Sequence, residues 1–381
     1  MAQTPPVMPP LPSRPEEVAG IFEWFDRARE SHPVVLDERS GTPWWHVFRY
    51  EDVVRVLTDH SRFSSRVPAF EYGLLSDTLL VKDPPDHRKL RSLVNMAFTP
   101  RAVARLSDRI AKMTQRLLDR VRANGEMDVV RDIAAPLPTW VICQMLGVPE
   151  SDWDGIRSWA HLDGQAGPGP MRRYFGELLE ERRRSPRDDL VSALSTAEID
   201  GERLSERELV NFCSLLLVAG QETTKNLIAN FFLTLSDHPD DQALLTQEPA
   251  LITTAIEEVL RYLPPVWFLM RRTTRDVDVA GVRIPADRLV MPWVASANRD
   301  STQFPEPDRF DVGREPNRHL AFGHGVHFCV GAPLSRLEAG VALPMMLEQL
   351  KDLRVRRDTP IGIRAGIVFV ITNLPVTFRR Y

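Results

Sequence analysis

The sequence lacks several features that would place it in common classes of protein. It has only three cysteines in 381 residues, at Cys143, Cys213 and Cys329, which are too few and too far apart for a disulfide scaffold. No apolar run is long enough to cross a bilayer, and no basic start followed by an apolar stretch marks a secretion signal. We therefore expect a cytoplasmic protein without a membrane partner.

Charge of one sign is also lacking. The net charge is −4, and the arginines are scattered among acidic residues instead of forming a basic patch. This composition gives no indication of a nucleic-acid partner. The chain contains no low-complexity stretch and no Gly/Ser linker, so we expect a proline-rich tail over residues 1–20 and one large domain over residues 21–381.

Helical periodicity dominates what is present. The predicted helices are Val18–Ser31, Tyr50–Asp59, His87–Phe98, Pro100–Asn124, Asp132–Leu146, Arg172–Arg184, Leu204–Ser236, Pro249–Tyr262 and Ala332–Leu350. Strand patterns are fewer: one near the start (44–50), two alternating runs around a glycine turn (Val277–Val294), and one near the end (367–378). The fold class predicted from this pattern is mainly α with small β-sheets.

The longest predicted helix carries an unusual centre. Ser205 and Glu208 form an S-x-x-E capping box at its start, and "AGQETT" lies in its middle. At 100° per residue, Leu216, Ala219, Gly220 and Thr223 share one face of the helix. One interpretation is a weak spot where another helix packs closely. The other is a groove for a flat ligand.

The stretch "RHLAFGHGVHFCVGAPLSRLEAGVAL" raises three hypotheses for Cys329. His324, His327 and Cys329 could bind zinc, although no second pair of cysteines completes a four-ligand site. Cys329 could also be an inert buried cysteine, as most cysteines are. The third hypothesis is a thiolate ligand of haem iron.

The residues around Cys329 favour the haem hypothesis. Gly323 and Gly325 allow positive φ and close approach of the backbone to a planar macrocycle. Pro333 fits the first turn of the helix that follows, whose N-terminus favours a thiolate nearby. Phe322 can pack over the sulfur and exclude water.

Four motifs together resemble the cytochrome P-450 superfamily of haem-thiolate monooxygenases. "FGHGVHFCVG" is similar to the haem-binding signature, and "AGQETT" to the oxygen-binding helix motif. "EVLR" is similar to the E-x-x-R pair, and "FPEPDRF" to the segment that follows it. The resemblance runs from about Ile21 to the C-terminus and is greatest to the bacterial members, and it implies a single large P-450 fold.

The resemblance implies roles for three residues at the reaction centre. Cys329 would be the proximal iron ligand of haem b, whose thiolate favours cleavage of the O–O bond. Thr223 would hold a water beside the bound oxygen, and Glu222 would relay protons. The alternative for Thr223 is a hydrogen bond back to an upstream carbonyl. The alternative for Glu222 is an ordinary surface charge.

The resemblance also implies which residues hold the haem propionates. His87 and Arg91 lie four residues apart on one predicted helix, and Arg271 and His327 come from later segments. Arg272 is a rival for Arg271, and counting back from "DVDVAG" favours Arg271.

A structural triad is implied as well. Glu258 and Arg261 would form an ion pair completed by Arg309, and this triad would stabilise the fold around the cysteine loop.

The resemblance implies substrate contacts from five segments, at 66–80, about 159–174, 216–219, 266–270 and about 367–372. The bulky apolar residues there predict a hydrophobic or aromatic substrate. The candidate contacts are Leu216, Ala219, Trp267, Phe268 and Leu269.

The implied reaction is insertion of one oxygen atom from O2 into a small molecule, with electrons from a separate ferredoxin or flavodoxin and its reductase. A haem peroxygenase or an oxidative coupling enzyme on the same fold is an alternative. A helical scaffold with a zinc-binding loop is the non-enzymatic alternative.

Overall fold

A computed structural model of the chain describes residues 7–39, 41–68, 75–159, 169–199 and 201–379. Its α-helices are α1 (Val18–Ser31), α2 (Tyr50–Thr58), α3 (Asp86–Ala97), α4 (Pro100–Ala104), α5 (Ser107–Val121), α6 (Pro136–Leu146), α7 (Trp153–Trp159), α8 (Gly169–Arg184), α9 (Leu190–Thr196), α10 (Glu206–Asp237), α11 (Pro239–Gln247), α12 (Ile252–Tyr262), α13 (Val294–Ala297) and α14 (Ala332–Gln349).

The strands are short. They are β1 (Val34–Asp37), β2 (Trp44–Val47), β3 (Phe63–Ser64), β4 (Glu126–Asp128), β5 (Glu198–Ile199), β6 (Glu202–Arg203), β7 (Arg271–Thr273), β8 (Val277–Val279), β9 (Val282–Ile284), β10 (Leu289–Pro292), β11 (Arg354–Val355), β12 (Gly362–Arg364), β13 (Val370–Asn373) and β14 (Pro375–Thr377). The predicted class, mainly α with small sheets, is confirmed.

Two predicted helices are wrong in extent. The helix predicted over Pro100–Asn124 is interrupted between α4 and α5, where the Leu106 N–H bonds three residues back to the Val103 carbonyl. The helix predicted over Asp132–Leu146 is a π-helical turn over Val130–Ala134 followed by α6. Pro136 explains this second break because a proline nitrogen carries no hydrogen for an interior helical bond.

The chain divides into two compact units. Unit 1 comprises Met1–Val67, Asn226–Cys329 and Asp352–Phe378. Unit 2 comprises Pro68–Lys225, Val330–Lys351 and Arg379–Tyr381. The prediction of one domain over residues 21–381 stays a prediction. Helix α1 begins at Val18, which lies inside the predicted proline-rich tail.

Unit 1 contains a five-stranded sheet in the order β1-β2-β10-β7-β3, in which only the β2–β10 pair is parallel. The predicted double run over Val277–Val294 contains a hairpin of β8 and β9 around Gly281, followed by β10. The sheet and α2 enclose a buried apolar cluster that includes Val53, Val290 and Leu320. Leu320 anchors the segment that leads to Cys329.

Unit 2 is predominantly helical among its described residues. Helix α5 packs against α14, and the Gln115 and Gln349 side-chain amides exchange hydrogen bonds at 3.0 and 2.7 Å. The Thr224 hydroxyl bonds to the Ser335 hydroxyl at 3.1 Å, which joins α10 to α14. Within the described part of the chain, no helix is both long and apolar enough to cross a membrane.

Candidate cofactor site

The loop that carries Cys329 is shaped by two glycines. Gly323 and Gly325 have φ of +71° and +72°, which side chains rarely tolerate. A Cβ on Gly325 would lie 3.3 Å from the Thr58 Cα atom, so the loop approaches the end of α2 closely. The Cys329 N–H donates to the Phe322 carbonyl at 2.9 Å and closes the loop. This closed loop fixes the backbone of the cysteine.

Accessibility separates Cys329 from the other two cysteines. Cys143 and Cys213 are buried, and burial raises the pKa of each thiol to about 12. Both stay protonated at neutral pH and are unsuited to binding a metal. Cys329 is exposed. Its thiol is therefore the one that a cofactor can reach, and the hypothesis of an inert buried Cys329 is wrong.

The zinc hypothesis gains no support from the geometry. Within the residues that the structure describes, no three His, Cys, Asp or Glu side chains are grouped so that they could hold a metal ion. Structural zinc needs four converging ligands.

Strand β7 separates Arg271 from its rival Arg272. Arg271 is buried (6% exposed), and its Nη1 donates to the Met270 carbonyl at 2.9 Å. The Arg272 side chain is 40% exposed and forms an ion pair with Asp287. Successive strand residues point to opposite faces, so Arg271 faces inward and Arg272 faces solvent. This placement favours Arg271 as the cofactor-binding arginine.

His327 contacts a residue that sequence reasoning missed. It ends a 3-10 turn over Gly325–His327, and its Nε2 lies 2.9 Å from the hydroxyl of Ser65. Ser65 is 3% exposed. The position of Ser65 depends on the pairing of β3 with β7, and no local sequence pattern predicts that pairing.

Helix α10 begins as predicted. The Glu208 N–H bonds to the Ser205 hydroxyl at 3.2 Å, and the Ser205 N–H bonds back to the Glu208 carboxylate at 2.9 Å. In the middle of this largely buried helix, Ala219 is exposed and Thr223 is partly exposed, one turn apart. These two residues present an open patch with small side chains to a ligand. Leu216, on the same predicted face, is buried.

Thr223 and Glu222 have different surroundings. The Thr223 hydroxyl donates to the Ala219 carbonyl at 2.7 Å, which is the back-bonded arrangement weighed as the alternative. The same oxygen retains lone pairs that can accept a hydrogen bond. Glu222 is 3% exposed, and the Lys225 Nζ lies 3.4 Å from its Oε1. The alternative of a surface carboxylate is therefore wrong.

His87 and Arg91 lie one turn apart on α3, as the sequence predicts. His87 is 1% exposed, and Arg91 is partly exposed. A buried imidazole and a neighbouring guanidinium on one helix face are suited to a partly enclosed carboxylate.

The Glu258–Arg261 pair is confirmed and fully buried. The Arg261 Nε and Nη2 donate to the two carboxylate oxygens of Glu258 at 2.7 and 2.8 Å. The prediction that Arg309 completes the triad is wrong. Its side chain is 63% exposed and pairs with Glu306, and only its carbonyl accepts from Arg261.

Arg314 is the third member of this cluster, in the place predicted for Arg309. Its Nε donates to Glu258 Oε1 at 3.1 Å, and the Arg314 side chain is 10% exposed. The backbone N–H of Asp311 and the amide of Asn317 donate to the same carboxylate at 3.0 and 3.1 Å. Every oxygen of the buried carboxylate is thus hydrogen-bonded.

Two predicted substrate contacts, Trp267 and Phe268, are buried, and their contact with a substrate stays a prediction. Trp267 is 0% exposed, and its ring stacks on Phe369 at 4.9 Å. Phe268 is 7% exposed, and its ring packs against Trp293 at 4.7 Å. Both belong to the apolar interior of unit 1. Leu269 is partly exposed, and it stays a candidate with Leu216 and Ala219.

Two of the predicted substrate segments extend beyond the described residues. Residues 69–74 of the first segment and 160–168 of the second lie outside them.

The side chains in each unit fit a haem group. Unit 1 contains an accessible thiol at Cys329 on a glycine loop that lets a flat group approach, together with the buried Arg271 and the partly buried His327. Unit 2 supplies the open Ala219 and Thr223 patch on α10. It also supplies His87 and Arg91 on α3. A thiolate for iron and cationic groups for carboxylates are the donors that haem requires.

A family model described as cytochrome P-450 matches residues 14–149 and 171–377. Erythromycin C-12 hydroxylase of Saccharopolyspora erythraea is 40% identical over 91% of this chain and 91% of its own length. Cyclomarin C epoxidase of Salinispora arenicola is 40% identical over 88% of this chain and 90% of its own length.

A solved structure, CYP109E1 from Bacillus megaterium in complex with testosterone, is similar to this chain with a TM-score of 0.87. It is 35% identical, and the match covers 94% of this chain and 99% of that one.

Proposed function

Since the chain belongs to the cytochrome P-450 family, we propose that Cys329 binds the iron of haem b and that the enzyme oxidises apolar small molecules. The enzyme is a haem-thiolate monooxygenase. The observation that supports Cys329 as the ligand is its exposure on the glycine loop, in contrast to the two buried cysteines.

Haem with a thiolate ligand supplies the activation of O2 when it is bound. The chain's own residues would then do three things. Arg271, His327, His87 and Arg91 would hold the propionates. Ala219 would leave room for the flat group beside α10, and the glycine loop would keep the thiolate fixed.

Thr223 and Glu222 would manage protons. Because the Thr223 hydroxyl already donates to the Ala219 carbonyl, its oxygen is oriented as an acceptor that can hold a water. Glu222 is buried, and its carboxylate lies within reach of the Lys225 ammonium on the same helix. The carboxylate would accept a proton and pass it on.

The relatives support an apolar substrate. The names of the two relatives place one reaction on erythromycin and the other on cyclomarin C, and the structural neighbour holds testosterone. We propose that the substrate here is likewise a bulky, mostly apolar molecule, contacted by Leu216, Ala219 and Leu269. A cytoplasmic location stays a prediction.

We propose that electrons come from a separate ferredoxin or flavodoxin with its reductase.

Carbon monoxide binding tests the ligand. The reduced parent protein with carbon monoxide should show the red-shifted Soret band of a thiolate-bound haem, and Cys329→Ser should abolish it. Cys213→Ser is the matched control, because that buried thiol cannot reach a cofactor. A normal band in the Cys329 variant would overturn the assignment.

Coupling tests the proton role. Thr223→Ala should keep its haem but consume reducing equivalents with little product and release peroxide, whereas Thr223→Ser should stay close to the parent. Equal coupling in Thr223→Ala and the parent would contradict the role of Thr223. Full activity with peroxide alone, with no redox partner added, would favour the peroxygenase alternative.

A further inference from the structure

We propose that Ser65 is a positioning residue that sets the orientation of the His327 ring. The Ser65 hydroxyl lies 2.9 Å from His327 Nε2, and both residues belong to unit 1. This inference rests on the proposed function, in which His327 binds a haem propionate. It assigns a role to a residue in none of the motifs.

Strand pairing brings Ser65 to this place. Strand β3 pairs antiparallel with β7 so that Ser64 faces Arg272. Ser65 directly follows this last paired residue, and its hydroxyl is hydrogen-bonded to His327, one of the proposed propionate residues.

A local turn fixes the direction of the Ser65 side chain. The Ser64 hydroxyl accepts the backbone N–H of Arg66 at 3.0 Å, an arrangement in which a serine side chain stabilises the turn that follows it. Ser65, at the centre of this turn, is only 3% exposed. Its hydroxyl therefore points into the protein and cannot exchange its partner for bulk water.

The chemistry of the pair suits an orienting role. A serine hydroxyl both donates and accepts, so it can bond to Nε2 whether or not that nitrogen carries hydrogen. Holding Nε2 fixes the plane of the imidazole and, with it, the direction in which Nδ1 points. An oriented donor binds a carboxylate more tightly than a ring that must first be ordered.

Haem release is the measurement that tests this role. In transfer of haem from the ferric holoprotein to excess apomyoglobin, Ser65→Ala should release haem about tenfold faster, since a buried hydrogen bond is lost. Ser65→Thr keeps the hydroxyl and should release haem at close to the parent rate. Ser296→Ala is the matched control, since Ser296 is also a buried, hydrogen-bonded serine of unit 1.

A double-mutant cycle separates positioning from general packing. His327→Ala should itself speed haem release, and adding Ser65→Ala to it should change the rate little, because Ser65 acts through the ring. A full further increase in the double variant would overturn the proposal. So would a parent-like rate in Ser65→Ala, or a rate in Ser65→Thr as fast as in Ser65→Ala.

Failure of the proposed function would look different. The parent protein would then lack the thiolate band with carbon monoxide. A normal band in the parent with unchanged haem release in Ser65→Ala would overturn the positioning role alone.

Discussion

At the scale of single residues, Arg261 joins an ion pair to the backbone of two loops. It donates to both oxygens of Glu258 and to the carbonyls of Asn298, Pro307 and Arg309 at 2.6 to 3.0 Å. Both charged side chains are 0% exposed. Removing Arg261 would take away the bidentate partner of Glu258, leaving Arg314 on one of its oxygens, and would also remove the donor to three backbone carbonyls.

We therefore expect Arg261→Ala to lower the free energy of unfolding by about 3–5 kcal/mol and to reduce the haem content of the purified protein. Urea denaturation and the ratio of haem to protein measure these two effects. Arg309→Ala is the matched control and should change the free energy by less than about 0.5 kcal/mol, because its side chain is largely exposed. An equal loss of unfolding free energy in the two variants would contradict the finding that the Arg309 side chain lies outside the cluster.

The difference between Arg309 and Arg314 shows what sequence could not supply. A family motif identifies the segment that folds back on Glu258, but which arginine of that segment reaches the carboxylate depends on the path of the loop. Here the Arg309 carbonyl accepts from both Arg261 and Arg314, so its backbone faces the cluster while its side chain faces solvent. Sequence spacing alone therefore does not predict whether Arg309 or Arg314 contacts Glu258.

His46 gives unit 1 a dependence on pH. Burial lowers its pKa from 6.5 to about 4, and its Nδ1 accepts the indole N–H of Trp293 at 2.8 Å. Between pH 6.5 and pH 4 the unfolded chain binds a proton that the folded chain does not. The stability linked to His46 is therefore present above pH 6.5 and is lost as the pH falls to 4, by about 3 kcal/mol in total.

His46→Gln should flatten this decline, because glutamine does not titrate. The urea midpoint of the variant, measured between pH 7 and pH 5, should fall less steeply than that of the parent. His60→Gln, which replaces a histidine outside the buried interior in the same way, is measured beside it. Identical slopes in the parent and His46→Gln would contradict the assignment.

At the scale of elements, the strongly periodic helices were predictable, and the breaks between them were less so. Helix α1 has the predicted bounds, and α10 begins with the predicted capping box. The short helices α7, α9, α11 and α13 were missed because four to nine residues hold too few turns for a clear apolar face. Strand β7 was missed because its three residues, two of them arginines, join the sheet through partners distant in sequence.

The glycine in the middle of α10 illustrates how packing overrides helix propensity. A Cβ at Gly220 would lie 2.5 Å from the Ile142 Cδ1 atom of α6. Close packing of another helix, weighed from sequence as one of two interpretations, is therefore present here. The exposed Ala219 supports the other interpretation, an open groove for a flat ligand. Both features occur on one helix.

Gly220→Ala should gain little stability in the parent, because the roughly 1 kcal/mol of improved helix propensity is offset by displacement of Ile142. Ile142→Val removes the atom that collides. In that background Gly220→Ala should be more stabilising than in the parent, as measured by a double-mutant cycle of urea midpoints. An equal effect of Gly220→Ala in both backgrounds would show that Ile142 does not determine the cost.

At the scale of the whole molecule, the path of the chain through the two units decides whether we expect them to unfold independently. The chain passes from one unit to the other after Val67, Lys225, Cys329, Lys351 and Phe378. Neither unit is a continuous stretch of sequence, and both contain residues of α10. Domains that fold alone usually have boundaries in linkers that few contacts cross.

We therefore expect the two units to unfold in one cooperative transition. Trp267 and Trp293 report on unit 1, and Trp140 and Trp153 report on unit 2, so fluorescence of variants that keep tryptophans in one unit only follows each unit separately. The two sets of variants, with Phe at the removed positions, should give coincident urea transitions after correction for their own stability. Coincidence of different probes is the usual test of two-state behaviour. Two separated midpoints would show that the units unfold independently, and the predicted single domain over residues 21–381 would then be wrong.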